Sequence, residues 1–322
     1  MSAQDSAALW SSVPWTAAKD AGTDGLLGWH KHHVPYVPEA LSLQNLDVWI
    51  PPTPDSGAAA PAAASLPTRP GRWIIFIHGG AWRDPRVSSS AFEPAAHNLL
   101  RRIAAGGDVP VAGLASLNYR LSAYPNRPSD PSREAVHPGH VADVLAALVF
   151  LQGVGGATDG YILSGHSCGA TLAFQASMAP SRWAEGLPTP LAPAVLVGLN
   201  GLYDLEGFVA NPPASHADLA EGYEEFTRGA FGPDRAVWRA ACPATAQGWV
   251  PEWKRGRKVV LVQSREDTLV PYEQLDSMRG YLVAAHAPFA VEELTAGGDH
   301  DEIWQKGTRL AEIYEEVLTG LV

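Results

Sequence analysis

Of the chain's 322 residues, 46% are hydrophobic and 18% charged, a balance that excludes disorder as the main state and suits one large domain or two small ones. Lys and Arg number 23 against 34 Asp and Glu, so the formal charge of -11 argues against nucleic-acid and anionic-membrane partners and for a small neutral or cationic one. No apolar run approaches the ~18 to 20 residues of a membrane-spanning helix, and the opening MSAQDSAALWSSVPW lacks the basic and apolar regions of a secretory signal. A cytoplasmic, reducing environment is therefore expected, with Cys168 and Cys242 as free thiols. No metal-ligand spacing surrounds either cysteine, and no structural metal is expected.

In chain order, the first strand is predicted over 43–50. A Pro/Ala-rich segment, 51–70, follows and reads as a long flexible hairpin loop. Apolar runs at 73–77, 111–117, 161–163, 194–199 and 259–262 read as buried strands, continuous rather than alternating, as in a mostly parallel sheet covered on both faces. A further apolar stretch lies at 289–294. Helical periodicity appears over 89–105, 140–152, 170–179 and 303–318. The alternation of strand and helix is the α/β signature. A polar insertion, 206–254, carries two short helical patterns at 217–228 and 235–240 and reads as a small cap within a single domain spanning 1–322.

Gly165-His166-Ser167-Cys168-Gly169 falls between a predicted strand and a predicted helix, the setting in which a serine is exposed at the tip of a nucleophile elbow. His78-Gly79-Gly80-Ala81-Trp82 leaves another strand. There Gly79 and Gly80 can present backbone N–H groups to an oxyanion alongside that of Cys168, although a tight turn also uses Gly-Gly. The serine needs a base after it, and the order Ser, acid, His selects His300, in the loop before the last helix. His216 and His286 read as solvated surface residues. Asp267, after the 259–262 strand, is the expected orienting acid, with Glu266 its main rival and Asp299 and Asp301 flanking the histidine.

Other residues admit two readings. Trp82 is either a wall of the acyl pocket or core, and Tyr203 and Asp204 either face the site or serve structure, Asp204 as a helix cap. Phe231, Trp238 and Trp253 either stack on a substrate ring or pack the cap. His166 reads as packing and Arg120 as half of a structural ion pair.

Residues 78–85 (HGGAWRDP), 118–122 (NYRLS), 165–171 (GHSCGAT) and 201–205 (GLYDL) together resemble the fungal-type kynurenine formamidases of the α/β-hydrolase superfamily. The resemblance runs from about residue 43 to the end, with gaps at the Pro/Ala-rich loop and the cap. It implies an α/β-hydrolase fold, no cofactor, and hydrolysis of N-formyl-L-kynurenine to L-kynurenine and formate. It assigns Ser167, Asp267 and His300 as the triad and Gly79, Gly80 and Cys168 as oxyanion donors; Trp82, after the oxyanion loop, and Tyr203, at a strand end, are candidate substrate contacts by their positions alone. A small-acyl carboxylesterase and a non-catalytic binding protein on the same fold are the rival readings. The expected partner is a small-molecule substrate, and a homodimer is left open.

Overall fold

The computed structural model describes residues 2–20, 25–52, 59–124, 128–158 and 160–321. Among the described residues nine strands form one sheet: β1 (Thr16–Lys19), β2 (Leu26–Pro35), β3 (Asn45–Ile50), β4 (Arg72–Ile77), β5 (Val111–Leu117), β6 (Ile162–His166), β7 (Val195–Leu199), β8 (Lys258–Gln263) and β9 (Ala290–Thr295). Their spatial order is β1-β2-β3-β5-β4-β6-β7-β8-β9. From β5 to β9 every pairing is parallel, while β1, β2 and β3 add an antiparallel edge.

Alternate residues of the central strands feed two cores. Ile75 and Ile77 of β4 face one with Leu163 and Leu261, and Ile74 and Phe76 face the other with Val197 and Val260. Helices α1 (Ala3–Ser11), α3 (Gly139–Gly153), α4 (Cys168–Gln175) and α8 (Glu273–Ala284) cover the first face; α2 (Glu93–Ala104), α9 (Glu302–Lys306) and α10 (Thr308–Thr319) cover the second. Burial on both faces explains why the central strands read as unbroken apolar runs.

Between β7 and β8 the insertion carries α5 (Leu205–Ala210), α6 (Ala220–Phe231) and α7 (Arg235–Ala241), one helix more than the periodicity predicts. Alpha 5 is short, and it starts at Asp204, whose Oδ1 accepts the N–H of Gly207 at 2.9 Å, the capping role foreseen for that residue. The single helix expected over 303–318 is broken at Gly307, which adopts φ +67°. A side chain there would fall 2.4 Å from the backbone nitrogen of Ala95, so the break lets α2 approach.

The segment between β3 and β4 is not a hairpin, because β5 lies between those strands. Residues 53–58 of it lie outside the described residues. Further along, the Ser65 carbonyl accepts both indole N–H groups of Trp10 and Trp15, at 3.4 and 3.0 Å. Lys31 is buried beneath this stretch. Its ammonium donates to the carbonyls of Trp10 and Ala63, each at 2.8 Å, and of Val13, and lies over the Trp10 and Trp15 rings. Helix α1, β1 and β2, which carry no motif, are thereby clamped to the sheet edge.

Candidate active site

Beta 6 ends at His166, the chain reverses, and α4 begins at Cys168. Ser167 sits on the reversal with φ +56° and ψ -123°, a conformation that L residues adopt only when the surroundings enforce it. The glycines of the motif make the reversal sterically feasible. A Cβ at Gly165 would lie 2.0 Å from the Gly169 carbonyl oxygen, and one at Gly169 would lie 2.3 Å from that of Ile77. The sharp turn thus follows from close packing of β6, α4 and β4, and it places Ser167 at the carboxyl ends of the parallel strands.

Asp267 and His300 approach from loops after β8 and β9. The Nδ1 atom of His300 lies 2.7 Å from Oδ2 of Asp267, and both side chains are buried. The second oxygen, Oδ1, accepts the backbone N–H groups of Leu269 and Val270 at 2.8 and 2.7 Å, which anchors the carboxylate. Of the four acids weighed in the sequence, only Asp267 meets the imidazole. Glu266 accepts the Gly298 N–H, Asp299 holds Thr268 and the His300 N–H, and Asp301 accepts the Trp304 indole.

The backbone of His300 is held by two residues with no such role in the sequence reading. Its carbonyl accepts Nε2–H of His166 at 2.9 Å and Nδ2–H of Asn200 at 3.0 Å. Because a carbonyl can only accept, the His166 proton sits on Nε2, and burial drives the pKa of that ring well below its ordinary value. His166 therefore packs, as expected, and in addition fixes the His300 loop. Asn200 occupies the end of β7 at φ +45°, and no local motif marks it. His216, expected on the surface, is instead buried, with Nε2 3.2 Å from the Asp267 carbonyl oxygen.

On the opposite side of Ser167 lies the loop after β4. The hydroxyl of Tyr119 lies 3.1 Å from the His78 carbonyl and 3.3 Å from that of Gly79, and its ring stacks on the His78 imidazole. A trans peptide sets its C=O and N–H in opposite directions, so tying these carbonyls to Tyr119 turns the N–H groups of Gly79 and Gly80 away from it. No hydrogen bond among the described residues engages either N–H. A Cβ at Gly79 would come within 3.0 Å of the Ser167 Cβ, which measures how closely this loop approaches the serine. Cys168 opens α4, so its N–H has no carbonyl of the helix to donate to. Its thiol accepts from the Trp82 N–H at 3.2 Å, and burial raises its pKa to about 11, a protonated and unreactive group.

A cavity of about 420 Å³ opens over Ser167 and His300, roofed by the insertion through Phe208, Tyr223 and Phe226 and edged by Arg83, Asp218 and Asp301. Trp82 and Tyr203 do not line it. Trp82 is fully buried one layer behind, its ring edge-on to Phe231 at 5.0 Å and backing Phe226. Tyr203 packs edge-on against Phe174 of α4, and it is its neighbour Leu202 that reaches the cavity. The aromatics considered for ring stacking, Phe231, Trp238 and Trp253, are buried in packing, and the cavity wall takes its aromatics from α5 and α6 and from Tyr124 in the loop after β5. Arg120 forms a bidentate pair with Asp143 at 2.8 Å, as the sequence suggested.

The geometry can be set beside known proteins. The family model described as "Alpha/beta hydrolase family" matches residues 74–313. A kynurenine formamidase-like hydrolase of Fusarium equiseti is 35% identical over 91% of this chain and 95% of its own. A kynurenine formamidase of Aspergillus versicolor is 36% identical over 73% of this chain and 84% of its own. Among solved structures, an inhibited esterase B of Lactobacillus rhamnosis shares the fold at a TM-score of 0.65 and 15% identity, covering 99% of this chain and 93% of that one. Relatives matched over nearly their whole length, together with a parallel sheet that carries its strained serine between two glycines, identify this chain as a hydrolase of the alpha/beta hydrolase family and, within it, a member of the kynurenine formamidases.

Proposed function

We propose that the protein cleaves the formamide bond of N-formyl-L-kynurenine, releasing L-kynurenine and formate, with Ser167 as nucleophile, His300 as general base and Asp267 as its orienting acid. The observation that carries this reading is the 2.7 Å contact of His300 with an anchored Asp267 beside a serine on an elbow, in a chain whose relatives are named for this activity. Ser167 Oγ attacks the formyl carbon while His300 takes its proton. The N–H groups of Gly79, Gly80 and Cys168 stabilise the resulting oxyanion. Collapse breaks the C–N bond, and His300 returns the proton to the departing arylamine nitrogen. Water, deprotonated by His300, then attacks the formyl-serine, releasing formate and restoring Ser167.

The leaving group suits this machinery. An arylamine conjugated to a ketone departs more easily than an alkyl amine, so apparatus otherwise sufficient for esters serves a formamide. The cavity suits a flat aromatic substrate, since Phe208, Tyr223 and Phe226 line it, and Asp218 and Arg83, the latter paired with Glu225 at 3.2 Å, place both signs of charge at its edge for an amino-acid end.

The test is to mix purified protein with N-formyl-L-kynurenine and follow kynurenine absorbance, with and without a serine-directed inhibitor. Inhibitor-sensitive turnover is expected. Hydrolysis of p-nitrophenyl acetate without turnover of the formamide would overturn the substrate assignment in favour of a small-acyl carboxylesterase.

A further inference from the structure

On the antiparallel edge of the sheet, far in sequence from the triad residues, the strands assemble a second cluster of chemistry-bearing side chains. His30 and His32 lie two residues apart on β2 and so share a face. His30 pairs with Trp49 of β3, and Asp47 falls between Val48, the partner of Lys31, and Leu46, the partner of Val34. The pairing of β2 with β3 shifts between Lys31 and Val34, and at that irregularity His33 takes φ +54°, a strained value for a residue with a Cβ. The shift directs the His33 backbone N–H to Oδ1 of Asp47 at 2.7 Å and leaves His32 Nδ1 3.0 Å from the same oxygen, with His30 Nε2 at 3.9 Å.

Two features of this cluster are costly as they stand. Asp47 is 1% exposed, and among the described residues no Lys or Arg lies within ion-pair distance of it. Lys31, its near neighbour on β2, turns its ammonium to the other face, onto the carbonyls of Trp10, Val13 and Ala63. The Nε2 atom of His30 is itself buried and has no hydrogen-bond partner among the described residues. A buried carboxylate without a cation and a buried ring nitrogen without a partner each carry a desolvation cost. One bound divalent cation would relieve both.

We infer that His30 Nε2, His32 Nδ1 and Asp47 Oδ1 form a binding site for one divalent transition-metal ion of the zinc class. The donor set of two imidazoles and a carboxylate favours zinc, copper or nickel over calcium or magnesium. All three donor atoms lie within 4.8 Å of one another, and donors around a tetrahedral zinc stand about 3.3 Å apart. The adjustment needed is below 2 Å on this comparison, and it falls mainly on the His32 ring, which is 57% exposed. Hydrogen bonds already orient the carboxylate as a ligand. Its other oxygen, Oδ2, accepts the Ser89 hydroxyl at 2.8 Å, and Ser89 is in turn held by Asn118. His30 is braced by its stack on Trp49 at 4.5 Å. Such outer hydrogen bonds and packing are what fix a ligand's direction. The surroundings of the cysteines gave no reason to expect a metal, because these ligands come together only through the strand pairing.

The experiment is a titration of chelator-treated full-length protein with zinc chloride, by calorimetry and by thermal unfolding, with magnesium and calcium as controls. One zinc per chain and a raised Tm are expected, with neither control ion reproducing them. His32→Gln, which alters an exposed ring, and His30→Gln should each weaken zinc binding by at least the roughly 10-fold that loss of an outer partner costs, while leaving the Tm of the metal-free protein close to that of the wild type. An absence of zinc binding by the wild type would overturn the inference. So would undiminished binding in both variants, which would place the ion elsewhere, for instance on His166, His300 and Asp301, whose donor atoms also lie within 4.8 Å of one another.

Discussion

The two ends of the sheet contrast in how they use polar groups. At the carboxyl ends of the parallel strands, polar side chains are paired in a directed series: Asp267 onto His300, and His166 and Asn200 onto the His300 carbonyl. At the antiparallel edge, Lys31 and Asp47 are buried on opposite faces of the β2–β3 pair, and among the described residues neither meets a partner of opposite fixed charge. The first arrangement fixes the His300 side chain at the wall of a cavity. The second holds added secondary structure on the sheet, which teaches that buried charge in this protein marks two different roles and that burial alone does not distinguish them.

The sharpest way to break the contrast is at the serine. Ser167→Ala should lower kcat for the formamide by roughly a millionfold with little change in Tm, measured by kynurenine release and thermal unfolding. Residual turnover near that of the wild type would remove Ser167 from the reaction. Next in size, Asp267→Asn should cost roughly ten-thousandfold in kcat, since the amide cannot hold His300 in the same tautomer. An effect confined to Tm would make Asp267 part of the scaffold only.

Acid should expose the neutral histidines in the half that carries Ser167. Burial lowers His78 from 6.5 to about 4 and His140 from 6.5 to about 3. A histidine with a depressed folded pKa contributes stability that is complete above its unfolded pKa and is lost as pH falls toward the folded value. Stability measured by denaturant unfolding should thus be level above pH 6.5 and decline between 6.5 and about 3, at about 1.4 kcal/mol per unit of depression for each group. His140→Gln should shallow that decline; an unchanged slope would assign it to other groups.

The smallest of the four effects belongs to the edge. Lys31→Met leaves three carbonyls without their donor and should cost about 3 kcal/mol of stability. Its kcat, measured below the melting transition, should match the wild type. A large loss of kcat with unchanged stability would mean that the two ends of the sheet are coupled more tightly than their separate hydrogen-bond systems imply.

How much of this was legible in the sequence follows the range of the interactions. The elbow was readable because its requirements are local: glycines at 165 and 169 answer to backbone contacts that any strand-turn-helix of this kind creates. Asp267 and His300 were readable through chain order and predicted strand ends. The direction of Trp82 and Tyr203, open between pocket and core in the sequence, was not legible because both adjoin motif residues while their side chains turn into the core, and periodicity is silent on which way a loop side chain points. The same blindness hid Asn200 and the buried His216.

By itself, then, the sequence determined the α/β class, the parallel core and the positions of the proposed nucleophile, base and acid, because apolar runs, glycine spacing and strand ends are written in consecutive residues. Tertiary structure alone decided the antiparallel edge, the aromatic roof over Ser167, the hydrogen bonds that hold the His300 loop and the approach of His30 and His32 to Asp47. Each of these depends on a contact between segments tens of residues apart, or on the one-residue shift in strand pairing that sets which side chains meet.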